Sequence, residues 1–246
     1  MRYKLGQLDA TGHEHITFGD TNLSSVFEVL SVTMDAIPSI EPTTVRVPGR
    51  AGSHYYGREI GDRVLTIRLS LHAHSRDPLD VFREWRQVSP ALWRQETQRL
   101  YLDEGMYLNA MVTGEFPLEF LGPRGVVDVQ FTCYDPYFHG RDMEVPLEAG
   151  DNEFMVVSQC ETWPTIEVTG ASGSVSVTDK GTGQKVVVPG TDHATIHMET
   201  MRATVDGAFK PVDMTQSDFF PLRPEEITTV SLASGEGVLR YQELAL

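Results

Sequence analysis

The sequence predicts a mainly β protein of two unlike halves, on three observations. Leu65, Ile67, Leu69, Leu71 and Ala73 alternate with Thr66, Arg68, Ser70, His72 and His74, the period of a strand with one dry and one polar face. A helical period replaces it over 78–88 and nowhere else is as clear. After about residue 145 only short strand signals follow, about eight in some hundred residues, as in a β-sandwich or jelly roll.

The helix has its own signals. Asp77-Pro78 supplies an N-cap and a first-turn proline, and Asp80 puts negative charge near the N-terminus. Leu79, Phe82 and Trp85 at three-residue spacing predict the apolar face. Pro90 disfavours continuation, although 91–97 has the composition for a further helical piece. Segments 99–103 and 107–113 then read as two strands of a hairpin turning at Glu104-Gly105-Met106. A turn at Gly122-Pro123-Arg124-Gly125 follows.

Next, Val127, Val129, Phe131 and Cys133 alternate with Asp128, Gln130, Thr132 and Tyr134, so Cys133 faces the core as a small hydrophobe. Asp135-Pro136 ends that strand, because proline has no N–H to donate to the ladder. The stretch Cys133–Gly140 therefore reads as a seam. Residues 141–152 are charged and loop-like, and a boundary is expected near 140–145. This gives domains 1–142 and 143–246. In the second half the expected strands are 153–157, 165–169, 174–178, 185–188, 193–198, 201–205, 227–233 and 237–245.

Bulk composition narrows the function. The formal net charge of −15 argues against stable binding to phosphate backbones. No apolar run approaches the roughly 20 residues of a membrane span, and Met1–Gln7 has no stretch resembling a secretion signal. Cys133 and Cys160 form no CxxC and no metal spacing, which fits free thiols in a reducing cytosol.

Candidate chemistry thins out quickly. His72 and His74 sit about 7 Å apart along one strand face, close enough to chelate a metal, as could His13 and His15. No third or fourth ligand stands at a recognisable spacing. His193 and His197, four apart on a strand, lie about 13 Å apart. There is no Gly-x-Ser-x-Gly, P-loop or GxGxxG. The sequence predicts no catalytic residue, cofactor or metal. Gly49–Gly52 and the Gly57–Gly61 region read instead as an exposed loop with Tyr55 and Tyr56 available for a protein contact. Trp163-Pro164 reads as a packed domain edge or, alternatively, as a sugar-stacking platform.

The order of these pieces resembles the distal tail protein family of long-tailed siphophages. Ala36-Ile37-Pro38 comes first, then Val47-Pro48-Gly49-Arg50-Ala51-Gly52 and the helix around Trp85. Leu100–Asp103, Tyr107–Ala110 and Val129–Tyr137 with Cys133-Tyr134-Asp135-Pro136 follow. Trp163–Val168 opens the second half and Ser217-Asp218-Phe219-Phe220-Pro221-Leu222-Arg223-Pro224 comes near its end. The chain departs from the family at Gly49-Arg50-Ala51-Gly52, where Gly-Arg-Asp-Gly is common. A second departure is Pro224-Glu225-Glu226, where Pro-Gly-Asn is common. The family-motif residues are Gly49, Arg50, Gly52, Cys133, Asp135, Pro136, Gly140, Trp163, Pro164, Phe219, Phe220, Leu222 and Pro224.

The resemblance implies a tail-tube-like N-terminal β-sandwich with one helix and a hairpin, and a C-terminal galectin-like β-sandwich. It implies a structural protein of the virion tail tip, assembled in the host cytoplasm. Six copies would form a ring joining the tail tube to the host-adhesion device. Its neighbours would be the tail tube, tape-measure and tail-tip proteins, and receptor-binding proteins. DNA would pass through the ring without stable binding, and no membrane is involved. Six copies carry about six times −15, and an acidic lumen would repel DNA. The alternative is a carbohydrate-binding β-sandwich protein.

Overall fold

The computed structural model describes residues 16–72, 78–102, 105–121, 124–224 and 227–246. His13, His15, His74, the His72 side chain, Asp77, Glu104, Gly122-Pro123 and Glu225-Glu226 lie outside that description. The chain divides after Phe138 into two compact units, each with its own apolar cluster.

The first unit begins with β1 (Thr17–Phe18), β2 (Thr21–Asn22), a one-turn helix α1 (Leu23–Val26) and β3 (Glu28–Met34). Then come β4 (Ile40–Val45), β5 (His54–Ile60), β6 (Arg63–His72) and helix α2 (Pro78–Val88). The unit ends with β7 (Gln98–Tyr101), β8 (Tyr107–Val112), β9 (Glu119–Leu121) and β10 (Arg124–Cys133). The long alternating segments pair as their pattern requires. β10 runs antiparallel to β6 over ten residues, from Arg124↔His72 to Cys133↔Arg63, and β3 pairs with the other edge of β6. Strand β8 pairs with both β10 and β7, and β7 with β1. The apolar faces of these strands pack around Leu65, Ile67, Leu69, Val127, Val129 and Phe131, all essentially buried. Phe18 of β1 meets Phe131 of β10 edge-to-face at 5.1 Å.

Four expectations for this half change. Leu79 and Phe82 of α2 are exposed, and the buried residue is Val81. It lies over Gly125 of β10, where a Cβ would come within 2.5 Å of the valine side chain. Trp85 packs against the core as expected. Beyond Pro90 no further helix forms; the helix closes in a 3-10 turn, Ser89–Ala91. The segment around Tyr55 and Tyr56 is a strand, paired with β4 from Ile40↔Ile60 to Val45↔His54. Alternation misses it because both faces carry polar and apolar residues. Finally, Ser70 on the polar face of β6 is buried.

The second unit contains β11 (Phe138–Met155), β12 (Thr165–Thr169), β13 (Ser174–Asp179), β14 (Lys185–Pro189) and β15 (Ala194–His197). It continues with β16 (Arg202–Val205), β17 (Ala208–Lys210) and β18 (Ile227–Ala245). β12 pairs with β15 and β18, and β15 with β16 and β16 with β17. A second layer pairs β13 with β14 and with Val230–Leu232 of β18. Val175, Val177, Val186 and Val188 from one layer face Ile166, Val168, Ile196 and Leu239 from the other, and Phe220 and Leu222 fill the core.

Here the structure corrects three readings. Residues 141–152 are not a loop but the middle of β11; charge made them look irregular, yet only part of the strand is buried. The two expected strands 227–233 and 237–245 are one strand, β18, because its glycines bend the chain without breaking the ladder. His193 precedes its strand instead of lying on it. The sequence also left β17 unread, although Asp206-Gly207, with φ of 52° and 77°, is the pair a two-residue type I′ hairpin turn demands. Arg240 of β18 ties the sheet laterally, reaching Glu144 and Glu167 at 2.8 Å each.

Candidate assembly surfaces

Hairpin β4–β5 has no buried residue between Ile40 and Ile60. Ile40, Val45, Val47, Tyr55 and Tyr56 are all exposed, the last by 70%. A lone two-stranded hairpin is at best marginal in water. Glu41 and Glu59 also face each other across the pair, a repulsive arrangement. At the tip, Gly49 and Gly52 take left-handed φ of 83° and 84°, which is what the glycines are for, and Arg50 contacts His54.

A second surface is the outer face of β3–β6–β10. Arg68 lies 3.7 Å from Asp128 and 3.8 Å from Glu119, and Arg124 lies 3.5 Å from Glu28. Each guanidinium already has a carboxylate. Exposed pairs of this kind contribute little to stability, but they occupy both Arg68 and Arg124, which are then less available to hold a phosphate backbone.

The seam residues converge on Arg63. Its side chain is 1% exposed. Nε donates to the Pro136 carbonyl at 2.9 Å and Nη1 to the Asp35 carbonyl at 3.0 Å. The guanidinium lies over the Phe138 ring, 4.9 Å from its centroid, and Asp135 accepts from the Tyr137 N–H at 3.4 Å. Cys133, the cross-strand partner of Arg63, is fully buried. Burial pushes its thiol up to about 12, against the opposing pull of Arg63. Sequence periodicity placed Cys133 but missed Arg63; a charged residue opening an otherwise clean strand was the available signal.

Because folding raises the Cys133 pKa, its contribution to stability is intact below the ordinary value of 9.0 and drains away as pH rises toward about 12. Between pH 9 and 11 the melting temperature of the native protein is therefore expected to fall more steeply than that of Cys133→Ala. Parallel slopes would refute this.

The remaining motif residues sit in the second unit. Gly140 is small because a Cβ there would meet the Glu243 carboxylate at 2.9 Å. Thr162, beside Trp163, exchanges backbone bonds with Leu222 at 3.1 and 2.8 Å, which brings the Trp-Pro and Phe-Phe motifs together. Pro164 accepts from the Met198 N–H at 3.1 Å and Phe219 from the Gln184 side chain at 3.1 Å. Trp163 is 38% exposed and Pro224 half-buried. The structure thus gathers Cys133, Asp135 and Pro136 around Arg63, gathers Trp163, Pro164, Phe219, Phe220 and Leu222 around the sandwich core, and leaves Gly49, Arg50 and Gly52 apart at the hairpin tip. Among the described residues no three His, Cys, Asp or Glu side chains group as a metal site would, and no helix is long and apolar enough to cross a membrane.

Residues 157–244 match the family described as siphovirus-type tail component, C-terminal domain. No curated protein sequence matches the chain. Among solved structures, the Dit protein (gp 19.1) of phage SPP1 superposes with a TM-score of 0.82 at 16% identity, over 94% of this chain and 99% of that one. Its structure is described as a paradigm of the hub adsorption apparatus in phages infecting Gram-positive hosts. At that identity the likeness concerns the fold. A chain of the phage p2 baseplate, in its activated conformation with Sr, aligns with a TM-score of 0.43 at 8% identity, over 89% of this chain and 92% of that chain.

Proposed function

We propose that this chain, whose residues 157–244 match the siphovirus-type tail component family, is the hub of a phage tail tip. In that role it is a structural virion protein and not an enzyme. In the proposed role six copies close into a ring that joins the tail tube to the adhesion device and leaves a passage for DNA. The tape-measure and tail-tip proteins and receptor-binding proteins are its expected neighbours.

The observation that carries this reading is hairpin β4–β5. A strand pair with no core of its own, five exposed large apolar residues and an unneutralised Glu41–Glu59 pair is suited to an interface. The outer stripe of α2, with Leu79 and Phe82 exposed and Arg86 beside them, offers the complement in apolarity and charge. Hairpin on one copy and helix on the next make a heterologous contact, and such contacts generate rings when the rotation closes. The mixed-charge face of β3–β6–β10 suits a passage wall, since its arginines are already paired.

Light scattering and negative-stain images of the purified chain test the ring. A hexamer with a central opening wide enough for duplex DNA is expected, and a monomer at every concentration up to the solubility limit overturns the proposal. Tyr55→Ser with Tyr56→Ser should leave a folded monomer, because neither side chain belongs to a core.

A further inference from the structure

A separate apolar patch lies at the sheet edge of the second unit, away from any residue used above. Met201, Phe209 and Met214 are 60%, 67% and 74% exposed around a cleft of about 140 Å³ whose wall also includes Val212. Exposed large apolar side chains are common singly, but a cluster around a cleft marks a contact surface. Met201 holds a left-handed φ of 54°, a conformation that a methionine adopts at some cost. The two cations at the rim, Arg202 and Lys210, have no carboxylate within ion-pair distance among the described residues. Lys210 reaches only the Gly190 carbonyl, at 3.3 Å. Asp206 is engaged with His193 at 3.3 Å, and Asp213 with Thr215 and Gln216. In a chain of net charge −15, a cleft with two cations lacking carboxylate partners favours an acidic occupant.

Two modes of docking can be separated. β17 is an edge strand, paired only with β16 among the described residues. It is three residues long and ends in Lys210-Pro211, features that blunt an edge against added strands. Side chains, not backbone pairing, must therefore supply the binding.

We propose that this patch docks a partner protein through a bulky apolar side chain flanked by carboxylates, with the apolar group in the methionine-lined cleft and the carboxylates on Arg202 and Lys210. Methionines suit such a role, because their flexible, polarisable side chains adapt to the shape of the guest.

The probe is a blocked peptide, Glu-Leu-Glu-Phe-Glu, titrated into the full-length protein carrying 13C-methyl methionine, with the lysine counterpart Lys-Leu-Lys-Phe-Lys as control. The methyl signals of Met201 and Met214 are expected to shift with the acidic peptide, at least tenfold more tightly than with the lysine peptide. The exposed Met155 should stay unmoved. Phe209→Ser should weaken binding at least tenfold while the buried Met198 signal keeps its native position, and Arg202→Gln with Lys210→Gln should erase the preference for acid. Equal binding of both peptides, equal movement of Met155, or no shift at millimolar peptide overturns the proposal. So does a concentration-dependent shift of Met201 and Met214 without peptide, which would assign the patch to a second copy of this chain.

Discussion

Arg63→Ala is expected to destabilise the first unit by about 2–4 kcal/mol, from buried acceptors left without donors and a void in the seam. Two carbonyls, Pro136 and Asp35, lose their charge-assisted donors, each orphaned group costing about 1–3 kcal/mol. The guanidinium's place over Phe138 becomes a void. Arg63→Met separates these effects, since it fills most of the volume and removes the buried charge, yet leaves both carbonyls unpaired. Urea unfolding followed by tryptophan fluorescence reads the result, because Trp85 packs against the affected core. Methionine should cost less than alanine and more than 1 kcal/mol. If alanine itself costs under 1 kcal/mol, the guanidinium is not what ties the end of β3 to the segment after β10.

Gly235→Ala is the second substitution with a large expected effect, about 3–5 kcal/mol on the second unit. At Gly235 φ is +87°, and a Cβ would stand 2.3 Å from the Thr169 carbonyl oxygen and 2.9 Å from the Ala171 nitrogen. These are backbone atoms that cannot step aside. Here β18 leaves β13 and joins β12, with pairing moving from Leu232↔Val177 to Glu236↔Thr169. Strands that switch sheets turn at such bends. Gly207→Ala is the control, because it has a similar φ of +77° with nothing within 4 Å of the added methyl, so it carries backbone strain alone, about 1–2 kcal/mol. Thermal melting should rank Gly235→Ala well below Gly207→Ala. Equal melting points would mean that close approach contributes nothing and only the left-handed backbone matters.

These two sites also show where sequence reading stops. Leu65–Leu71 and Val127–Cys133 were legible because each strand buries one continuous face, and burial imposes a period of two on the residues themselves. The hairpin β4–β5 has no buried face in the single chain, so no period marks it, and only its exposed Tyr55 and Tyr56 hinted at a contact. On α2 the three-residue spacing found the helix but chose the wrong stripe. Leu79 and Phe82 point outward, and Val81 was passed over because the space that receives it is set by Gly125, more than forty residues later in the chain. The cleft at Met201, Phe209 and Met214 had no sequence signal beyond methionines in an otherwise polar stretch.

By itself, then, the sequence determined the β class, the place of the helix, the burial of Cys133 and the stop at Asp135-Pro136. Each of these follows from local chemistry: alternation, an N-terminal proline, a missing backbone donor. Tertiary structure alone decided that charged residues 141–152 stay in a strand, that Gly235 bends β18 instead of ending it, and that Arg63 sits buried between two distant carbonyls. Those outcomes depend on which backbone arrives next to which. Glycine reads as a break in one dimension and as room for a neighbouring carbonyl in three. An arginine reads as surface until a fold supplies the acceptors that allow it inside.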